Sequence, residues 1–183
     1  MTRETKSVTR RRRARDTTPQ HLLLASASPR RKTLLNTLGI PFQAISSRVS
    51  ERSLQTDPRL LVIELARRKA EGVARRHPHA VVLGADTIVV CCGEILGKPK
   101  DRRDSRRILG LLNGRWQRVY TGVAAAWEGG RKMCSAAVVT RVLARRLSEA
   151  ELARLAGKHM DKAGAYAVQD RNDPFIARID GDY

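Results

Sequence analysis

The sequence predicts a mixed α/β fold, in which one sheet combines parallel and antiparallel strands. Two observations carry that expectation. Short apolar strand patterns alternate with helical patterns in the first half of the chain. In the second half, Arg118 to Trp127 and Lys132 to Leu143 flank Glu128-Gly129-Gly130 as an antiparallel hairpin. A third observation sets the scale: 183 residues that are 42% hydrophobic suit one compact domain, or one domain with two lobes. No internal repeat is visible. No stretch approaches the roughly 18 continuous apolar residues of a membrane helix.

Residues 1–20 read as a disordered, Arg-rich tail, with Arg10 to Arg13 unbroken and almost nothing able to enter a core. It lacks the apolar run of a secretory signal. The ordered pattern begins at His21, and Leu22 to Leu24 form a buried strand. Ser28-Pro29 then opens a helix, with Ser28 as cap, Leu34, Leu35 and Leu38 as its buried stripe and Gly39 as its stop. Phe42 to Ile45 is the next strand. Asp57-Pro58 opens a longer helix toward Arg76, with Leu61, Leu65 and Ala66 turned inward. Ala80 to Leu83 reads as a strand that Gly84 punctuates and Thr87 to Val90 resumes. Cys92-Gly93-Glu94 turns it back toward Ile95 and Leu96. Asp101 to Leu112 is a helix closed near Gly114. After the hairpin, Ser148 and Glu151 make a capping box, and Gly157 ends that helix. Ala165 to Gln169 and Phe175 to Ile179 are expected to pair as a closing pair of strands.

Thirty-six basic and 18 acidic side chains give a formal charge of +18. That balance permits polyanionic partners and disfavours a cationic substrate, without choosing among nucleic acid, membrane and a small phosphate ester. An aromatic content of 4% argues against a stacking platform for single-stranded nucleic acid. Cys91, Cys92 and Cys134 lack metal-ligand spacing and exclude a disulfide framework, so a reduced, cytoplasmic setting fits best. His21, His77, His79 and His159 form no readable zinc set.

The strongest local feature is Ala25-Ser26-Ala27-Ser28-Pro29-Arg30-Arg31, between a strand and a helix start. Free amides at a helix start bind phosphate, Ser26 and Ser28 add hydroxyls, and Arg30 and Arg31 add charge-assisted contacts. The same residues also read as ordinary capping beside two solvated arginines. The glycines of a Walker loop are absent. Gly84-Ala85-Asp86-Thr87 places an acid inside an apolar strand, which is costly unless the carboxylate is paired, hydrogen-bonded or bound to a cation. Asp86 is therefore a metal ligand, a base for water, or a cap of local amides. Pro99 stiffens the chain after Lys98. Lys69 follows Leu65 by one helical turn, so its amine can reach a cleft at the core edge. Taken alone, Lys69, Lys98 and Glu51 each read more readily as surface charges than as functional groups. Gly164 allows close backbone approach, Tyr166 packs under a ligand or in the core, and Gln169 can read a base edge or orient phosphate or water.

These segments, with Gly97-Lys98-Pro99, Tyr120-Thr121-Gly122-Val123 and Asp161-Lys162-Ala163-Gly164-Ala165-Tyr166, occur in the order expected of the Maf family. The chain resembles that family over roughly residues 22 to 183. The resemblance implies a Maf/inosine-triphosphatase-like fold: a mixed, twisted sheet flanked by helices, with two lobes around a central cleft. It implies hydrolysis of a nucleoside triphosphate to the monophosphate and pyrophosphate, with a divalent cation, Mg²⁺ or Mn²⁺. At matching positions, Ser26, Arg30 and Arg31 would bind phosphate, with Thr87 and Gln169 also on the substrate. Glu51, Lys69, Asp86 and Lys98 would gather around triphosphate and metal, Asp86 and Glu51 as metal ligands and Asp86 activating water. The Gly-Ala-Asp-Thr form is similar to the subgroup that takes dTTP and UTP.

The sequence departs from the family at Gln117, where a histidine is usual, at Lys158, a charge reversal, and at Asp170, where glycine is common. Members also continue past the final Gly-Asp-Tyr, so the domain, taken as residues 21–183, is expected to be short at its C-terminus. The alternative function is a catalytically weak relative that binds nucleotides or nucleic acid. The expected partner is a small nucleoside triphosphate, with a homodimer admitted and no specific nucleic acid or membrane.

Overall fold

The structure, a computed structural model, describes residues 21–168 and 174–181. The basic tail, Gln169, Asp170 and Tyr183 lie outside the described residues. Strand β1 (Leu22–Leu24) runs parallel to β2 (Phe42–Ala44) on one side and to β3 (Val81–Cys91) on the other. Beyond β3 every pairing is antiparallel: β3 with β5 (Trp116–Trp127), β5 with β6 (Lys132–Ala144), and β6 with β7 (Ile176–Asp180). The short β4 (Glu94–Leu96) folds back on the end of β3. The resulting order is β2-β1-β3-β5-β6-β7, a mixed sheet as the sequence predicts.

Four helices, α1 (Pro29–Thr37), α2 (Pro58–Ala74), α3 (Arg102–Leu112) and α4 (Glu149–Leu155), flank the sheet. Their starts follow from local chemistry. Asp57 accepts the Leu60 amide at 2.9 Å, and Asp101 accepts the Asp104 amide at 2.7 Å. Ser148 and Glu151 form the expected reciprocal box. Alternation along β3 divides the core in two. Val82 joins Leu23, Ala66, Ala70, Val73 and Ala124 beneath α2. Val89 and Cys91 face the other way and join Ile108, Leu112, Val142, Leu152, Tyr166 and Phe175 beneath α3 and α4.

Four local expectations need correction. Ser28 stands at the N-cap of α1 without a side-chain cap bond; its own amide instead donates to Ser26 Oγ at 3.2 Å. Leu35 is buried, but Leu34 and Leu38 are 52% and 66% exposed. Leu34 and Leu38 share one helix face, whereas α1 turns inward the adjacent face, which carries Arg31 and Leu35 one turn apart. Gly84 does not interrupt β3. A Cβ there would lie 2.3 Å from the Ala66 carbonyl oxygen, so the glycine marks where the α2 backbone crosses the strand. Finally, residues 163–165 form a 3₁₀ turn rather than a strand, because Gly164 (φ +78°) and Ala165 (φ +61°) are left-handed. The partner of β7 is β6.

Candidate functional site

Strand β3 loses its neighbours on one edge where the candidate residues lie. Strand β1 pairs with β3 only as far as Leu24 opposite Leu83, and β4 begins at Leu96 opposite Val89. Asp86 and Thr87 fall in the interval. Two chain segments border it: the loop that leaves β1 through Ser26 into α1, and the exit of β4 through Gly97 and Lys98. An opening beyond the carboxyl ends of parallel strands is where ligands of open α/β sheets bind.

Asp86 points to the α2 face, where Lys69 reaches it. Lys69 Nζ stands 2.5 Å from Asp86 Oδ1 and 2.6 Å from Glu51 Oε1. The Lys69 and Asp86 side chains are 9% and 10% exposed, while Glu51 is 52% exposed. The ammonium thus joins a buried carboxylate to one at the surface. Two glycines permit the approach. Gly84 lies under Ala66 and Ala70, and Gly122 of β5 lies under Val62, where a Cβ would come within 2.2 Å of the carbonyl oxygen. The Lys69 hydrogen bond, the chief cause, and its charge hold the Glu51 carboxyl below its ordinary value against the effect of partial burial; Lys98 and Arg31 act in the same direction.

A second chain of contacts runs from the helix start. Arg31 donates to Ser26 Oγ at 3.3 Å and to Thr87 Oγ1 at 3.4 Å, and Thr87 Oγ1 lies 3.2 Å from Thr121 Oγ1 on β5. Burial pushes the Arg31 guanidinium below the usual arginine value; Asp86 opposes this, Arg30 adds to it, and Glu51 opposes it more weakly. The Gly164 amide donates to the Gly97 carbonyl at 3.1 Å, which ties the Asp161 to Tyr166 segment to Lys98. The Asp161 carboxyl lies below its ordinary value, chiefly through its bond to Lys162, with the Arg30 charge adding to the effect. Tyr166 is core: its ring packs against Phe175 at 5.7 Å.

The structure therefore brings together Ser26, Arg30, Arg31, Glu51, Lys69, Asp86, Thr87 and Lys98, while Gln169 lies outside the described residues. Thr121 is the residue that site reasoning from sequence passed over. Its signal in the sequence is only a hydroxyl in an apolar strand; the pairing with Thr87 is seen in the register of β3 with β5. The cavities elsewhere share no residue with this cluster; one of about 400 Å³ is lined by Arg102, Arg103, Arg106, Ala153 and Ala156.

Among the described residues, no group of three or more His, Cys, Asp or Glu side chains gathers to hold a metal. Glu51 and Asp86 nevertheless converge on one point, the Lys69 amine. Cations that work on phosphates are commonly held by one or two carboxylates together with phosphate oxygens. The pair fits such an ion, although it does not make a complete cage. With the charges of Arg31, Lys69 and Lys98 acting on Glu51, the cluster suits a polyphosphate.

Comparison with known proteins shows what the chain is similar to. The family model described as Maf-like protein matches residues 21–183. A dTTP/UTP pyrophosphatase of Elusimicrobium minutum is 47% identical over 160 residues, covering 87% of each chain. One of Symbiobacterium thermophilum is 46% identical, covering 90% of this chain and 85% of that protein. A dTTP/UTP pyrophosphatase of Thermococcus onnurineus is 45% identical, covering 88% of each. Among solved structures, a nucleoside-triphosphatase/dITP/XTP pyrophosphatase of Mycobacterium abscessus aligns with 87% of this chain and 84% of its own. Its TM-score is 0.47 at 12% identity, too low to bear on function. With the family model spanning all but the first 20 residues and relatives this similar over most of their length, the chain belongs to the Maf-like protein family.

Proposed function

We propose that this protein hydrolyses dTTP and UTP to the nucleoside monophosphate and pyrophosphate, with a divalent cation, Mg²⁺ or Mn²⁺, in a reducing cytoplasmic setting. The observation that carries the reading is the Lys69-bridged pair of Glu51 and Asp86 beside the Ser26–Arg31 loop. The activity for which the similar relatives are named supports the substrate class. Three free cysteines, of which Cys92 and Cys134 are exposed, support the setting. No helix among the described residues is long and apolar enough to cross a membrane.

The residues divide the work. The Ser26 hydroxyl, the first amides of α1, Arg30 and Arg31 bind phosphate oxygens, and Thr87, braced by Thr121, holds the Arg31 fork at its angle. A water oxygen forms a bond to the α-phosphorus as the bridging bond to the β-phosphate breaks, and pyrophosphate leaves. Lys69 meets only Oδ1 of Asp86, which leaves Oδ2 to take the proton from that water whichever cation stands at Oδ1. Glu51 and Asp86 would hold the cation, which when bound neutralises phosphate charge. Lys69 and Lys98 stabilise the charge that develops on the departing pyrophosphate. Gln169, where the resemblance sets a polar group, would contact base or phosphate.

The test is product analysis. With Mg²⁺ or Mn²⁺, dTTP and UTP should yield monophosphate and pyrophosphate with higher kcat/KM than CTP, GTP or 7-methyl-GTP. Tenfold selectivity needs about 1.4 kcal/mol of differential transition-state stabilisation. A lead for 7-methyl-GTP would overturn the substrate class. Nucleotide binding without turnover would favour the weak relative instead.

A further inference from the structure

Lys69 is placed where a cation belongs. Its amine is within 2.6 Å of one oxygen from each carboxylate, and its side chain is 9% exposed. A divalent ion held by Asp86 and Glu51 would compete with the ammonium for the same two carboxylates. Two positive charges at contact distance beside the buried Asp86 repel strongly. Helix α2 lies tight on Gly84 and Gly122, with no room for even a methyl group, which keeps the Lys69 backbone close over Asp86.

We infer that Lys69 is a built-in counter-ion that holds the cation position in the free protein, so that the metal enters together with its nucleotide. The inference rests on the reading that Glu51 and Asp86 hold the cation. The ammonium satisfies both carboxylates when substrate is absent, and so keeps Asp86 from being a buried, unpaired charge. An incoming polyphosphate supplies what releases it: oxygens that accept the Lys69 hydrogen bonds and negative charge that compensates the added dication. The cluster of Arg30, Arg31, Lys69 and Lys98 around Glu51 and Asp86 has two more positive than negative side chains, which disfavours a bare metal ion and favours one that arrives on an anion.

The experiment is Mn²⁺ binding without nucleotide, read by electron paramagnetic resonance of the free ion, on the intact chain, Lys69→Met and Lys69→Arg. Lys69→Met should bind Mn²⁺ about tenfold or more tightly than the intact chain, a gain of at least about 1.4 kcal/mol. Lys69→Arg, which keeps the positive charge, should remain as weak as the intact chain. Equal affinity of folded Lys69→Met and the intact chain would overturn the inference. So would micromolar, Asp86-dependent Mn²⁺ binding by the intact chain alone. If Lys69→Met does not fold, Lys69→Gln, which retains a hydrogen-bond donor for Asp86, is held to the same tenfold gain. Turnover by the intact chain with no such gain in the variants rejects this inference and leaves the proposed function standing. A gain in the variants with no turnover by the intact chain keeps the inference and overturns the proposed function.

Discussion

Asp86 is buried and ion-paired with Lys69, so its structural part has to be separated from its proposed reactive one. Removing one partner of a buried ion pair costs about 3–5 kcal/mol when the other charge is left alone. Lys69 would not be left alone, since Glu51 lies 2.6 Å from it. Asp86→Asn is therefore expected to lose less stability than that range, while turnover falls about 100-fold or more, the usual weight of a general base. Calorimetry and kcat on one preparation check both; unchanged turnover in the folded variant would remove Asp86 from the chemistry. Glu51 gives a pH test. Its carboxyl is held below the ordinary 4.5, so its contribution to stability is fully present above about that pH and fades as pH falls through the depressed value. Glu51→Gln should flatten this acid limb in a Tm profile, with a modest amplitude because the side chain is half exposed. Much of this cluster was legible in the sequence: an acid in an apolar strand, and a lysine one turn from a core leucine. Thr121 was harder to find, because its role depends on the register between β3 and β5, which sequence spacing does not set.

At the scale of elements, the contact between α2 and the sheet sets the site. Helix starts at Asp57, Asp101 and Ser148 were readable because capping is local chemistry. Gly84 was not, since a glycine in a strand signals a break or a close crossing with equal force. The crossing explains why Lys69 meets Asp86: residues Ala66 to Ala70 of the helix lie directly on the strand. The exposed Leu34 and Leu38 have the same lesson, as periodicity identifies an apolar face but not which neighbouring face the tertiary structure turns inward. Gly84→Ala and Gly122→Ala would each drive a methyl group against backbone, which cannot rotate away. Overpacking of this kind costs about 1–3 kcal/mol. Each variant should unfold at lower denaturant concentration and also lose turnover, because lifting α2 separates Lys69 from Asp86. Gly110→Ala on α3, where an added Cβ meets nothing within 4 Å, is the control and should do neither.

The whole molecule carries +18, a charge far larger than the site needs. Residues 1–20 hold seven basic and two acidic side chains, while the family match begins at residue 21 and every proposed site residue follows it. These facts separate two uses of positive charge. Charges within the cluster act at contact distance, where salt screens little, whereas remote charges act through solvent with a screening length of about 8 Å at physiological ionic strength. Deleting residues 1–20 should therefore leave kcat, measured with Mg²⁺ present, within about twofold, since it depends on short-range contacts. The same deletion should shift elution from a polyanion column to lower salt, because fewer phosphate-like charges are neutralised and fewer counter-ions released. Steering of the small triphosphate should weaken only at low salt, seen as a fall in kcat/KM that vanishes near physiological strength. Measuring kcat, kcat/KM at two salt concentrations and column elution on both forms distinguishes these effects. A large loss of kcat on deletion would mean that the first 20 residues belong to the catalytic domain, and the boundary at residue 21 would have to be withdrawn.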